Sequence, residues 1–365
     1  MPRRPKGLLL AAAIVLCLEI GLRLAPDKWL FVSYSRPEFY VFMEQEVLPK
    51  FSQPQIAILG TSHAADAIVP DELDAALGLP PYSTANLGIF GSRSNEWLDM
   101  YRRNRAKLSK LKLLIVASDE WSFSSGAGAD EHLSLYGSLA DRWNYVQDSD
   151  SPAHAELNPE ENKKRAADKL DAQRLRRNRL LTDYVFRMRV RLPDLPLALA
   201  KSLRLGKKRS PVFDKHHMVR SDRAQSAEAE DVKDPRNYHE RIRAFYKHFD
   251  SHPLYMGYVE QLVELAKADG VKVLLLQLPN RRSYQNEVDK LFGAEYEQHL
   301  RAFHALADKL KVPCKSFKYP EEIEMDGAML HDTDYVDYCH MAMSGAELTT
   351  TWLTDFIKRE RLLEK

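Results

Sequence analysis

Gly60-Thr61-Ser62-His63, directly after an apolar run, and Asp337-Tyr338-Cys339-His340, near the C-terminus, contain the three groups that serine-based acyl transfer requires. A serine hydroxyl is a poor nucleophile at neutral pH. It needs an imidazole to take its proton and a carboxylate to fix that imidazole's tautomer and stabilise its charged form. Ser62, His340 and Asp337 have this chemistry, separated by most of the chain.

Such distant residues must be brought together by the elements that carry them. Gln55 to Leu59 is continuously apolar after Gln55 and is stopped by Gly60, the pattern of a buried strand, with a helix expected after Ser62. Further strands are expected over Ser83 to Ile89, Leu111 to Ala117, Val271 to Leu278 and near Val312 to Phe317. Helices are expected over about Asn95 to Leu108 and Leu254 to Ala268, then a long one through Leu310 and a closing one from Ser344 to about Leu362. Ser344 and Glu347 have capping-box spacing. Strands alternating with helices predict a parallel sheet covered on both faces, with ligand sites at the C-terminal ends of its strands.

The 365 residues are enough for one large domain or one domain carrying a sizeable insertion, and 44% hydrophobic with 29% charged residues is ordinary globular composition. A net charge of +1 indicates no class of partner, and three cysteines exclude a disulfide scaffold. Cys314 and Cys339 could pair in an oxidising compartment or serve as two buried thiols. Arg3, Arg4 and Lys6 precede an apolar stretch from Leu8 to about Leu24, the pattern of a signal peptide or signal anchor. With no A-x-A site after it, a retained single-pass anchor at 1–26 is expected, a cleaved signal being the alternative. Either places the remaining chain in the periplasm or extracellular space. The expected order continues with a juxtamembrane segment at 27–54, the first part of the core at 55–125, a basic, mainly helical insertion at 126–236 and the second part of the core at 237–365.

Each motif has a plainer reading. Ser62 could simply cap a helix, and Ala64 in place of a second glycine excludes the G-x-S-x-G elbow. His331, Asp332, Asp334 and Asp337 crowd one stretch and could bind a metal, although no H-E-x-x-H or C-x-x-C spacing accompanies them. The basic residues of the insertion, among them Lys163, Arg174, Arg177 and Arg187, could be a solvated face or could meet anionic lipid or an acidic glycan. Nucleic acid is not expected for an exported domain.

Ile58-Leu59-Gly60-Thr61-Ser62-His63, Asn86-Leu87-Gly88-Ile89-Phe90-Gly91 and Tyr335-x-Asp337-x-x-His340-Met341-x-x-x-Gly345-Ala346 occur in the order found in the SGNH hydrolase-like superfamily, which the chain resembles over about 55 to 123 and 254 to 358. The resemblance implies a three-layer, flavodoxin-like α/β fold with a parallel sheet. It implies Ser62 as nucleophile, His340 as base, Asp337 as its partner and the backbone N–H groups of Ser62 and Gly91 as the oxyanion hole, with no metal or organic cofactor. His63 and Asp119 are expected to line the site. The family usually has an Asn donor after its third strand, where this chain has Ala117-Ser118-Asp119-Glu120; an ionised Asp119 would repel an oxyanion.

That departure resembles the membrane-anchored branch, such as the DltD-type D-alanyl transfer proteins and the AlgJ/AlgX-like polysaccharide O-acetylation proteins. It implies a cell-envelope glycan or lipid-linked polymer as substrate and a membrane-bound O-acyltransferase as partner. The expected function is therefore an anchored, exported acyltransferase or esterase. A non-catalytic polymer-binding or scaffold subunit of such a complex is the alternative, and a plain exported esterase a third.

Overall fold

The computed structural model describes residues 36–123 and 253–364, together with positions 10, 13, 14, 16, 17, 20, 21, 216, 218, 242 and 243. The chain divides into two compact units, one formed by 1–38 and 128–209, the other by 39–127 and 210–365. All the strands below belong to the second unit. The expected insertion at 126–236 lies almost wholly outside the described residues, as does most of the expected anchor. Among the described residues no helix is long and apolar enough to cross a membrane, and of the apolar stretch Leu10, Ile14, Leu16 and Ile20 are exposed.

Five strands form one parallel sheet: β1 (Ile56–Gly60), β2 (Thr84–Asn86), β3 (Leu113–Ser118), β4 (Lys272–Gln277) and β5 (Cys314–Ser316). Their order is β2-β1-β3-β4-β5. Ile56 pairs with both Thr84 and Leu113, and Leu113 pairs with Lys272, so the register runs unbroken across the centre. The order reverses direction at β1, which puts a crevice at the carboxyl ends of β1 and β3.

Between the strands run helices α1 (Ser62–Ala67), α2 (Pro70–Leu77), α3 (Ser94–Asn104), α4 (Pro253–Ala268) and α5 (Arg282–Leu310), and α6 (Met343–Arg359) follows the last strand. Helix α6 packs on α1 and α2, whereas α4 packs on α3 and α5. Side chains alternate across a strand. Ile56, Ile58, Leu113, Ile115, Leu274 and Leu276 join Leu353, Phe356 and Ile357 of α6 in one core. The alternate residues Ala57, Leu59, Leu114, Val116, Val273 and Leu275 are equally buried and serve the other face. Continuous apolar runs in a parallel sheet have this cause: both faces are covered.

Two local expectations need correction. Strand β2 ends at Asn86, not near Ile89, because the Asn86 side chain turns the chain: its Oδ1 accepts from Gly88 N–H at 3.1 Å. The Ser344/Glu347 capping box does not form. Helix α6 starts at Met343 with Ala342 as N-cap and no side-chain cap, while Ser344 Oγ donates to Asp334 Oδ1 at 2.7 Å. Asp334 thereby fixes the start of the helix from the preceding loop, and its carbonyl accepts from Ala342 N–H at 2.8 Å.

Gly60 has a steric reason to be glycine. A Cβ there would lie 1.9 Å from the Ala117 carbonyl oxygen and 2.7 Å from Ala64 Cβ. Strand β3 and helix α1 thus press on the last residue of β1 from two sides. Gly60→Ala is expected to destabilise the fold by about 3 kcal/mol or more, because backbone must move to admit the methyl group. Urea unfolding of the two proteins measures it, as a lowered midpoint at constant slope.

Candidate active site

The site begins at the step from β1 into α1. Thr61, not Ser62, is the N-cap of α1: its Oγ1 accepts from His63 N–H at 3.3 Å. Ser62 is the first helical residue, so its hydroxyl is released from capping. It lies 2.8 Å from His340 Nε2, across 278 residues of sequence.

His340 is held by a loop that closes on itself. Asp337 Oδ1 accepts from the backbone N–H of Cys339 at 2.9 Å and of His340 at 2.8 Å. Its other oxygen meets His340 Nδ1 at 2.7 Å. One carboxylate therefore shapes the turn and orients the ring, which explains the three-residue spacing. Tyr335 and Met341 form an antiparallel bridge at the ends of the loop, and Arg281 N–H, after β4, donates to Tyr338 O at 2.9 Å. Asp337 is fully buried, whereas Ser62 and His340 are each 8% exposed, so only the Ser62–His340 end of the chain of hydrogen bonds reaches solvent.

Burial alone would raise the Asp337 carboxyl. The His340 hydrogen bond and charge, with the two backbone N–H groups, outweigh it and hold Asp337 well below the usual carboxylate range. It stays ionised wherever His340 can act. With the carboxylate on Nδ1, that nitrogen carries the proton and Nε2 presents a lone pair to Ser62.

Asp119, expected to line the site, stands at the end of β3 and is fully buried. Its Oδ2 accepts from Thr61 Oγ1 at 2.7 Å, and its Oδ1 accepts from Ser122 N–H at 2.9 Å and from Ser122 Oγ. The carboxylate thus grips the N-cap of the helix that begins with Ser62. His63 is 3% exposed, with Nδ1 at 3.7 Å from Asp119 Oδ2 and its ring edge-to-face against His340 at 5.6 Å.

Gly91 lies in the loop after β2 with φ of 67°, a left-handed conformation that glycine adopts without strain. The loop is tied to the end of β1. Ile89 N–H donates to Gly60 O at 2.9 Å, and Ser92 Oγ donates to the same oxygen at 2.9 Å. Trp97 Nε1 donates in turn to Ser92 Oγ at 2.7 Å. The segment carrying Gly91 is therefore fixed one residue from the cap of α1, whose first N–H groups have no partner within the helix.

The residues that could bind a metal do not gather as their sequence crowding suggests. Asp332 Oδ1 accepts from Arg282 N–H at 2.8 Å and Asp334 Oδ2 from His331 N–H at 2.9 Å. Among the described residues the donor atoms that come together are those of Asp337, Cys339 and His340. Burial, with the Asp337 charge, pushes the Cys339 thiol well up, which opposes a thiolate ligand. Cys314 and Cys339 are both free thiols.

No protein-family model and no curated protein sequence matches the chain. Solved structures similar to it include a "putative acylhydrolase" from Bacteroides fragilis, at 12% identity and a TM-score of 0.38 over 87% of this chain and 95% of that one. A GDSL-like lipase from Bacteroides thetaiotaomicron is similar at 11% identity and a TM-score of 0.34, over 86% of this chain and 90% of that one.

Sequence reasoning missed the residues that position the others. Asn86 Nδ2 donates to Ala64 O at 2.9 Å and Ile68 O at 3.1 Å, tying the end of β2 to α1. Thr61 was legible, since Thr before a helix is a preferred cap. Ser92 and Ser122 carried no signal.

Two buried histidines predict an acid-labile fold. Burial lowers His63 from 6.5 to about 4, against the opposing pull of Asp119, with the charge of His340 adding to the fall. Burial lowers His299 from 6.5 to about 3; its Nε2 lies 3.0 Å from Gln277 Oε1. Below pH 6.5 an unfolded chain protonates both, while the folded chain resists until about 4 and about 3. The unfolded state then binds more protons, so stability falls as pH falls through that window, by on the order of 3 kcal/mol for His63. Melting temperatures from pH 7 to 4 should decline, and His299→Phe should make the decline shallower.

Proposed function

We propose that the chain is a serine acyltransferase or ester hydrolase working through an acyl-enzyme on Ser62. The observation that carries this reading is the unbroken path from Ser62 Oγ through His340 to Asp337, at 2.8 and 2.7 Å, reaching solvent only at Ser62 and His340. Ser62 Oγ attacks the acyl carbonyl and forms the new C–O bond while His340 Nε2 takes its proton. Collapse of the tetrahedral intermediate breaks the bond to the leaving oxygen, which receives that proton. An acceptor hydroxyl or water then gives its proton to His340, attacks the acyl-enzyme and releases Ser62. The Ser62 and Gly91 N–H groups stabilise the oxyanion. Asp119, gripped by Thr61 and Ser122, acts as a structural anchor.

The sequence supports a finer reading. The basic N-terminus and the apolar stretch after it favour an anchored protein with its C-terminal domain outside the cytoplasmic membrane. The substrate is then a cell-envelope glycan or lipid-linked polymer and the partner a membrane-bound O-acyltransferase. Incubating the full chain with p-nitrophenyl acetate and mapping the acetylated peptide tests the chemistry. Acetyl on Ser62 of the native chain, absent from Ser62→Ala, is the expected result. If no adduct forms and envelope acylation survives Ser62→Ala in cells, the catalytic reading fails and the scaffold reading stands.

A further inference from the structure

His63 is a second imidazole beside the first, and its surroundings differ from those of an ordinary core histidine. His299 shows the ordinary case: fully buried, ringed by Phe123 and Phe303, with a hydrogen-bond partner in Gln277. His63 is 3% exposed, yet its Nδ1 is buried with no hydrogen-bond partner among the described residues. A buried polar atom without a partner destabilises a fold and calls for an explanation. Asp119 Oδ2 lies 3.7 Å from this Nδ1, too far for a hydrogen bond by about half an ångström. The relation repeats that of Asp337 to His340: a buried carboxylate facing Nδ1. The negative charge of a carboxylate on that side favours the ring proton on Nδ1 and the lone pair on Nε2. The groups whose charges His63 senses are Asp119, His340 and Asp337. Its ring packs edge-to-face against His340, and its backbone adjoins that of Ser62.

We propose that His63, oriented by Asp119, is a specificity-determining residue that accepts a hydrogen bond from a second hydroxyl of the acyl acceptor, so that the site selects acceptors with hydroxyls on adjacent carbons. The inference rests on the acyl-enzyme reading above. In the second half-reaction the reacting hydroxyl gives its proton to His340 Nε2, its oxygen bonds to the acyl carbon, and the bond to Ser62 Oγ breaks as that oxygen takes the proton back. His63 gains and loses no proton. Its Nε2 holds the neighbouring hydroxyl, and the Asp119 contact shortens into a hydrogen bond as the acceptor settles, in the way that loose geometry of an empty site tightens on binding. Water and simple alcohols lack the second hydroxyl. A sugar or polyol has it.

The test uses the full chain, p-nitrophenyl acetate as donor, and two matched acceptors, cis-1,2-cyclohexanediol and cyclohexanol. Acetyl-Ser62 is measured first in every protein, and transfer products are normalised to it. The native chain is expected to favour the diol by at least about tenfold. His63→Leu, similar in size and apolar, should lose most of that preference, and His63→Gln, whose amide oxygen still accepts a hydrogen bond, should recover part of it. An equal preference in native and His63→Leu proteins overturns the inference, as does a native chain that treats the two acceptors alike. Loss of acetyl-Ser62 in both variants also overturns it, by placing His63 in the first half-reaction or in the fold. A native chain without Ser62-dependent acetylation instead overturns the acyl-enzyme reading and takes this inference with it.

Discussion

Ser62→Ala is expected to lower kcat toward small acyl esters by about 10⁴- to 10⁶-fold while leaving the fold intact, the scale seen when a triad nucleophile is removed. The size follows from what the hydroxyl does. In the proposed mechanism it supplies the bond-forming oxygen, and His340 Nε2 lies 2.8 Å from it. It does not cap α1, a task that falls to Thr61, and its side chain is only methyl-sized once the oxygen is gone. A thermal melt within a few degrees of the native value, with ester turnover lost, separates catalysis from stability. Turnover close to native would remove Ser62 from the mechanism and with it the reading of the whole site.

Asp337→Asn should cost about 10⁴-fold in kcat for a different reason. The asparagine carbonyl can still accept from the Cys339 and His340 N–H groups, so the turn should persist. Its NH₂ would face His340 Nδ1, where the carboxylate now lies at 2.7 Å. A donor there demands a lone pair on Nδ1 and moves the ring proton to Nε2, so that Nε2 can no longer take the proton of Ser62. Because the two residues act in one unit, the double variant Ser62→Ala/Asp337→Asn should be no slower than Ser62→Ala alone. Multiplying effects would mean that Asp337 serves the fold rather than the reaction. Steady-state rates of the four proteins, measured at one pH near 7, decide it.

Much of this architecture was readable from residue pattern, and the parts that were not have physical causes. Buried parallel strands are apolar on both faces, so Ile56–Gly60, Leu113–Ser118 and Lys272–Gln277 stood out as runs, and their expected limits differ from the observed ones by two residues or fewer. The edge strand β5 is shorter than expected, at Cys314–Ser316, because only one neighbour supports it. Asp337 and His340 were legible because both parts of their interaction are local. The role of Asp119 was not. Set against the Asn donor that the family resemblance implies, it looked like a misplaced charge in an oxyanion hole, whereas its partners, Thr61 and Ser122, satisfy it within the framework. Long-range hydrogen bonds of that kind leave no periodicity behind. The same holds for Asn86, whose side chain spans 22 residues to reach Ala64.

The separation of 278 positions between Ser62 and His340 also bears on how the protein comes into being. The His340 turn can form as soon as its own seven or so residues are made, and β1, β2 and β3 can align from the first third of the chain. Ser62 meets His340 once β4 has found β3, since the turn is secured to the chain just after β4 by the Arg281–Tyr338 bond. Closing so long a loop is among the slower events available to a folding chain. During synthesis the nascent protein therefore holds the proposed nucleophile without its proposed base, and the two meet only when the sheet is sealed, after the last fifth of the polypeptide has emerged.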